Sequence, residues 1–451
     1  MDNLYAITPI DGRYCNTTSI LSKYVSEYAL FKYRILVEIE YFKALYKLQI
    51  KGLKDIQKYE IDRLDNIVKD FTLKEAMKIK NIEKINKHDV KAVEYYLQEK
   101  FIEYGLEKHR SFIHFGLTSQ DINSSAVILS IKETINSIII PNLLTIMNTV
   151  LDMSKKWKNV TMLSRTHGQP ASPTTIGKEL YVFYYRLETQ LRELKNVEYR
   201  TKFGGAVGNF NAHKVAYPDI DWETFADEFV YSLGLIRNDY TTQISNYDEI
   251  STIFDNIKRI NSILIDLDND IWYYISLGYF KQNIVKDEVG SSTMPHKVNP
   301  INFENSEGNL IVSISLLECL SRKLPISRMQ RDLTDSTILR NIGTIFGYTL
   351  IGYTSLVTGL SKLNIDRSRI DNDLEDNYVV ISEGIQTILR REGIIDAYEK
   401  LKELTRGNIN LRKDDFRKYI ESLDISTELK DEINKITVYN YIGYSDKQID
   451  N

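Results

Sequence analysis

The sequence predicts an all-α protein built round a bundle of long helices, and three observations carry that prediction. Over most of the 451 residues, apolar side chains recur at steps of three and four, the spacing that sets them on one stripe of a helix. One stretch sustains the pattern through Ile253, Ile257, Ile260, Leu264, Leu267, Ile271 and Tyr274, the seam along which long helices pack at shallow angles. Alternating apolar and polar runs bounded by turn signals are nearly absent, so a sheet-based fold is rejected.

Taken in chain order, the elements divide softly into three. At ~150 residues per domain, the length itself suggests about three domains. Tyr28, Phe31, Ile35, Ile39, Phe42 and Leu45 form a single helical stripe, and residues 1–111 read as an N-terminal helical domain that ends where the sequence KHRSF breaks the pattern. The central 112–364 read as the long-helix bundle. Within it Ile176, Leu180, Tyr184, Leu187, Leu191 and Leu194 repeat the stripe, as do Leu310, Ile314, Leu317 and Leu324. The stretch 341–363 is apolar on more than one side, so it must be covered by its own chain or by another subunit. Irregular connections fall at 201–220, with Gly204, Gly205 and Gly208, and at 284–300. Beyond 364 charge density rises and helices shorten, giving a C-terminal helical domain over 365–451.

Composition excludes several classes. Lys and Arg number 58 against 62 Asp and Glu, a net charge of -4, and the charges are interleaved instead of forming the basic stripe of a nucleic-acid binder. Cys15 and Cys319 cannot build a disulfide framework and have no ligand spacing around them, which fits a reducing cytoplasm. The N-terminus lacks the charged and apolar regions of a signal peptide, and no window approaches the ~18 apolar residues of a membrane span. A soluble, cytoplasmic protein is expected.

Six histidines occur, at 88, 109, 114, 167, 213 and 296; none has HExxH spacing or a Cys neighbour, so no metal is expected. Gly177-Lys178 is followed by Glu179 and the cluster at 204–208 reads GGAVG, so neither phosphate loop pattern is present and the glycines fit a tight turn. The connector 284–300, IVKDEVGSSTMPHKVNP, is more informative. Gly290, Ser291 and Ser292 offer amides and hydroxyls close to Lys297 and Asn299, a set able to hold a carboxylate or a developing oxyanion. A polar surface loop stiffened by Pro295 and Pro300 is the plain alternative, and residue content alone leaves the two even. His167, in SRTHGQPASP, is placed on a loop before a helix for which Ser172 serves as N-cap and Pro173 as first residue. It is a candidate general acid or base, with an ordinary surface histidine as the default. Thr118 and Asp121 form a capping box, whose helix N-terminus would also suit an anion.

Together, TSQDIN (118–123), SRTHGQPA (164–171) and GSSTMPHKVNP (290–300) resemble, in order and spacing, the three signature regions of the aspartase/fumarase superfamily of lyases. His88-Asp89-Val90, PHKVNP and QRDLTDSTILRN (330–341) bring the chain nearest to the superfamily's adenylosuccinate lyase branch, a likeness running from PIDGRY (9–14) to KLKELTRG (400–407). The resemblance implies a three-domain all-helical subunit whose central helices join those of other copies in a homotetramer, each active site drawing on three chains. It implies cofactor-free elimination of fumarate from nucleotide substrates in purine synthesis, with no nucleic-acid or membrane partner. By resemblance Ser291 takes the proton, His167 protonates the departing nitrogen and Glu304 orients His167. Arg13, Tyr14, Arg331, Ser336, Thr337, Ile338, Leu339 and Arg340 align with nucleotide and phosphate contacts. Lys87, His88, Asp89, Thr118, Ser119, Gln243, Ser292, Lys297, Val298, Asn299 and Asn305 align with further substrate contacts. Lys87 departs from the asparagine of the nearest branch, which implies altered phosphate contacts. A non-catalytic helical oligomer and a sister lyase acting on another fumarate adduct are the competing readings; intact Ser291, His167, Lys297 and Glu304 argue against the first.

Overall fold

The computed structural model describes residues 3–283, 294, 296–396, 399, 401–402, 412–447 and 449. Its helices are α1 (Glu27–Lys47), α2 (Leu73–Asn86), α3 (Asp89–Glu103), α4 (Ser119–Thr134), α5 (Ile140–Lys156), α6 (Ile176–Lys195), α7 (Trp222–Ser232), α8 (Asp248–Ser276), α9 (Ile301–Lys323), α10 (Thr334–Leu339) and α11 (Ile342–Ser361). They continue as α12 (Arg367–Asp376), α13 (Ser382–Arg391), α14 (Lys413–Ser422) and α15 (Thr427–Asn434). Three two-stranded pairings accompany them: β1 (Thr161–Thr166) antiparallel with β2 (Gln169–Thr175), β3 (Arg200–Thr201) parallel with β4 (Ile236–Arg237), and β5 (Phe280–Gln282) antiparallel with β6 (Leu363–Ile365). The fold is all-α, as the periodicity requires.

The seams lie where their spacing puts them. Ile253, Ile257, Ile260, Leu264, Leu267 and Ile271 along α8 are all fully buried. In α1, Phe31, Ile35, Ile39, Phe42 and Leu45 are buried, and Ser26 caps the helix by accepting from the Ala29 amide at 3.1 Å. Helix α11 is covered within the single chain: Ile342, Ile345, Phe346, Leu350, Ile351, Tyr353, Leu356 and Leu360 are all buried. Of the two covers open to it, its own chain supplies this one.

Compact packing divides the chain into two units. One comprises Met1–Leu143, Gln190–Ser262 and Gly308–Gly352; the other comprises Leu144–Thr189, Ile263–Glu307 and Tyr353–Asn451. The boundaries fall within α5, α6, α8, α9 and α11, so long helices contribute to both. In the first unit α1 packs on α3 and α4, and α2 on α3. A buried polar node sits there too: Asn261 Nδ2 donates to Ser313 Oγ at 3.3 Å and Thr349 Oγ1 at 3.4 Å, and those two hydroxyls bond each other at 2.7 Å. In the second unit the β1–β2 hairpin packs against α12 and the turn Tyr378–Ile381.

The helical stretch Ser119–Lys156 is long and apolar enough to cross a membrane, which corrects the expectation that no segment approaches that limit. Half of its most apolar window is buried inside the chain. Serines and threonines break up its run of consecutive apolar residues, and they have internal partners: Ser125 bonds Thr201 Oγ1 at 3.2 Å, and Ser130 donates to the Tyr24 carbonyl at 2.6 Å. Truncation of the α8 seam at Leu264→Ala is expected to cost about 2–5 kcal/mol through lost burial and the cavity left behind. Unfolding by denaturant measures it, and an unchanged midpoint would contradict the packing described here.

Candidate active site

In the first unit the signature residues gather round the N-terminus of α4. Thr118 and Asp121 form the expected capping box, the Thr118 amide donating to Asp121 Oδ2 at 2.8 Å. The other oxygen of Asp121 reaches outward. Oδ1 accepts from Lys202 Nζ at 2.6 Å and from the Gly204 and Gly205 amides at 2.8 and 3.1 Å. Asp121 and Lys202 are both completely buried, and Lys202 also donates to the Gly205 carbonyl at 2.5 Å. Burial pushes the Lys202 ammonium below its usual range, with Asp121 opposing the shift. The glycine cluster is thus a turn, as its composition predicts, and Gly208 is obligatory in it: its φ is +82°, and a Cβ there would stand 2.3 Å from the Thr241 carbonyl oxygen.

A closed circuit of hydrogen bonds continues from that turn. The Ala206 carbonyl accepts from Gln243 Nε2 at 3.0 Å, and Gln243 Oε1 accepts from Arg331 at 3.0 Å. Arg331 donates onward to Ser336 Oγ at 3.4 Å, which accepts from Gln120 of α4 at 3.5 Å. Asp335, beside Ser336, accepts from the buried Tyr247 hydroxyl at 2.9 Å. Gln243, Arg331, Ser336 and Thr118, marked by resemblance in separate segments, are therefore tied into one structure, with Ser119 next to Thr118 at the start of α4. Thr337, Ile338 and Leu339 lie on α10 with Ser336, and Arg340 follows it.

Asn123 of α4 extends the network to a second group. It accepts from Arg34 Nε at 2.8 Å, while Arg34 Nη2 donates to Asp89 Oδ2 at 2.7 Å. Burial depresses the Arg34 guanidinium, Asp89 resists, and the charge of Arg340 is felt there too. His88 caps α3, its Nδ1 accepting from the Lys91 amide at 3.2 Å. Lys87 is exposed and left-handed, with φ +59°, at the end of α2. Arg13 lies over the Tyr14 ring at 5.9 Å in the turn that precedes the first helical segment.

Two further histidines sit behind this face. His213 is fully buried, with Nε2 3.0 Å from the Tyr41 hydroxyl and Nδ1 without a partner among the described residues. Burial pushes it down to about 4. His114 is different. Burial would lower it, but Glu38, 2.5 Å from Nδ1, outweighs that and holds it above the ordinary value.

In the second unit His167 occupies the tip of the β1–β2 hairpin. Thr166 pairs with Gln169, so His167 and Gly168 alone make the turn, with φ of +53° and +74°. Two positive values define the I′ turn that matches strand twist. This corrects the sequence reading, in which Ser172 and Pro173 begin a helix. Both lie in β2, Pro173 opposite Leu163 where the register shifts, and α6 starts at Ile176 with Thr175 Oγ1 accepting from the Lys178 amide at 3.3 Å. His167 is exposed. Glu304, in the first turn of α9, accepts from Trp272 Nε1 at 3.2 Å, and among the described residues no hydrogen bond joins it to His167. Asn305 donates to Ser355 Oγ at 3.1 Å, and the Val298 carbonyl accepts from Gln282 at 3.2 Å. Lys297 and Asn299 precede α9, Lys297 exposed. Ser291, Ser292 and most of the connector lie outside the described residues.

The marked residues thus fall in two sets, one per unit, and in the first Thr118, Gln243, Arg331 and Ser336 are knit together by hydrogen bonds, with Asp89 joined through Arg34 and Asn123. Sequence reasoning missed Arg34, Gln120, Asn123, Lys202, Tyr247 and Asp335. Gln120 and Asn123 stood inside TSQDIN and one turn apart on a helix; Arg34 and Lys202 carried no local signal. Two surface grooves, one along Glu193, Glu249, Asn256 and Arg259 and one along Arg200, Asp227, Tyr231 and Arg237, hold none of the marked residues. Among the described residues no group of three or more His, Cys, Asp and Glu has the geometry to hold a metal ion.

Comparison with known proteins places this arrangement. A family model described as lyase matches residues 12–313. Two solved structures share the fold over nearly the whole chain. A fumarate lyase from Mesorhizobium sp. BNC1 has a TM-score of 0.75 at 15% identity, covering 96% of each chain. A 3-carboxy-cis,cis-muconate lactonizing enzyme from Pseudomonas putida has a TM-score of 0.74 at 18% identity, covering 96% of this chain and 95% of the other. Fold and signature segments together define a lyase. A second model, described as adenylosuccinate lyase C-terminal, matches 327–442. The adenylosuccinate lyase of Dictyostelium discoideum is 53% identical over 454 residues, covering 98% of this chain and 97% of that protein; the Escherichia coli K12 enzyme is 46% identical, covering 100% and 99%. The chain belongs to the adenylosuccinate lyase family.

The buried His213 sets a pH dependence. Its folded value of about 4 lies below the unfolded 6.5, so the unfolded chain binds the extra proton between those limits and stability falls as pH drops from 6.5 toward 4. The slope from this group is at most about 1.4 kcal/mol per pH unit. His114, shifted the other way, contributes below 6.5 and loses that contribution as pH rises through its folded value. Thermal midpoints over pH 4–7 should fall on acidification, and His213→Gln should fall less steeply; equal slopes would refute the assignment.

Proposed function

We propose that this chain eliminates fumarate from adenylosuccinate, leaving AMP, and from succinyl-aminoimidazole-carboxamide ribotide, leaving the carboxamide ribotide. The observation that carries this reading is the circuit through Thr118, Gln243, Arg331 and Ser336, joined through Asn123 and Arg34 to Asp89. It presents the Arg331 guanidinium among hydroxyl and amide groups, with the His88 imidazole next to Asp89, a set suited to a phosphate and carboxylates. Near full-length likeness to adenylosuccinate lyases supports it.

The chemistry sets demands that the proposed roles meet. Removing a proton next to a carboxylate puts a second negative charge on that group, which needs preorganised donors and a cation. Lys297, Asn299 and the amides near Ser291 and Ser292 take that part, with Asn305 and Val298 lining the substrate. Ser291 accepts the proton, nearby positive charge lowering the effective pKa of its hydroxyl so that the alkoxide is available as base. His167 protonates the leaving nitrogen as the carbon to nitrogen bond breaks, and no step calls for a metal or cofactor. Arg13, Tyr14, Ser336 to Arg340 and Lys87 serve the nucleotide and its phosphate.

The same reading gives a cytoplasmic homotetramer with shared active sites and the three-domain division at 111 and 364. Exposed apolar residues on the long helices support association: Val182 and Tyr185 on α6, Trp272 and Tyr273 on α8, Ile311 and Val312 on α9. Surfaces of this kind favour burial against another copy. Sharing also accounts for Glu304, which would orient the imidazole of another copy instead of its own.

Purified protein should release fumarate from both substrates without added metal, followed by absorbance, and AMP should compete. A folded oligomer silent on both overturns the proposal. His167→Ala and Ser291→Ala should each lower kcat by at least ~10²-fold, the typical worth of a placed acid or base, with assembly intact by light scattering.

A further inference from the structure

The turn that carries His167 is held from both arms by carboxylates of the C-terminal helices. On the β1 arm, Arg165 Nη2 donates to Asp373 Oδ2 of α12 at 2.8 Å. On the β2 arm, Ser172 Oγ donates to Glu383 Oε2 of α13 at 2.6 Å, and Glu383 also accepts from the Tyr441 hydroxyl at 2.9 Å. The two clamps differ in kind. Glu383 meets a neutral hydroxyl, whereas Asp373 is buried and draws three donors. Besides Arg165 it accepts from the Tyr279 hydroxyl and, through Oδ1, from Asn377 Nδ2 at 3.2 Å. Tyr279 immediately precedes β5, whose far end leads into the connector that carries Ser291. One carboxylate therefore meets both the arm two residues before His167 and the residue that precedes β5.

The hairpin's own hydrogen bonds set strand pairing but not where the pair points; that angle is set by packing on α12 and the turn Tyr378–Ile381 together with these two clamps. We propose that Asp373 is a positioning residue for His167, acting through Arg165 on the hairpin. The Arg165–Asp373 pair is charged on both sides and mostly shielded from water, with side chains 28% and 11% exposed, so it holds direction better than an exposed pair. Burial, reinforced by Asp373, raises the Tyr279 phenol and keeps it a donor. A displacement of about 1 Å of a catalytic group costs up to ~10²-fold in rate.

This inference rests on His167 being the general acid, and the experiment separates the two. Wild-type enzyme is first assayed for fumarate release; Asp373→Asn, Arg165→Met, their double variant and Ser172→Ala follow, each normalised to folded oligomer. Asp373→Asn and Arg165→Met are expected to lower kcat about 10-fold or more while KM shifts less than ~3-fold, within the reach of misplacement. The double variant should be no worse than the poorer single, because both cut one connection. Asp373→Glu should restore part of the rate. The His167 imidazole resonances, assigned by their loss in His167→Ala, should move further in Asp373→Asn than in Ser172→Ala, which removes only a neutral hydroxyl contact. Unchanged kcat, additive losses, or loss confined to KM overturn the positioning role. If wild type is silent on both substrates the functional reading fails, and the imidazole resonances still decide whether Asp373 positions His167.

Discussion

A carboxylate and an ammonium with no access to water, Asp121 and Lys202, hold the start of α4 and the turn 202–205 of the first unit in register. Two such charges are costly to bury, and a pair of apolar residues of equal volume would often serve stability as well. What apolar residues cannot do is direct donors. Asp121 takes four, one from its own helix cap and three from the turn 202–205, with Lys202 closing back on that turn. The start of α4 and the backbone leading to Ala206 become one body, and the Gln243, Arg331 and Ser336 contacts are built on it.

The second unit solves the same problem with less burial. The histidine proposed as its acid, His167, stands on a two-stranded hairpin, which on its own is marginally stable. Rigidity comes from α12 and α13, whose acidic side chains meet the two arms. In one unit a buried ion pair organises backbone amides; in the other, carboxylates on helices organise a hairpin. Both place long-range electrostatic contacts at the points where local structure alone leaves a degree of freedom.

Much of this was legible from the chain alone, and for identifiable reasons. The α8 seam and the α1 stripe were readable because burial on one side imposes a period that a helix cannot hide, and the box at Thr118 because capping is local to four residues. The hairpin was not. His-Gly is a weaker turn signal than Asn-Gly, and Ser172-Pro173 satisfies the rules for a helix start, so two local codes competed and tertiary contacts to Glu383 decided. Asp121 with Lys202, Arg34 with Asp89 and Arg165 with Asp373 lie 81, 55 and 208 residues apart; pairings at such range leave no periodicity to read.

The backbone at the hairpin tip carries one more implication. A side chain branched at Cβ is strained in the left-handed region, while histidine, asparagine and aspartate enter it with modest penalty. With φ of +53° at His167, threonine, valine and isoleucine are barred there by geometry before any question of acidity arises. The repertoire open to this position is therefore narrow, and imidazole is its one member that titrates near neutrality. With the acid role proposed for His167, loop shape and proton chemistry would select the same residue, so a change there would meet two independent barriers.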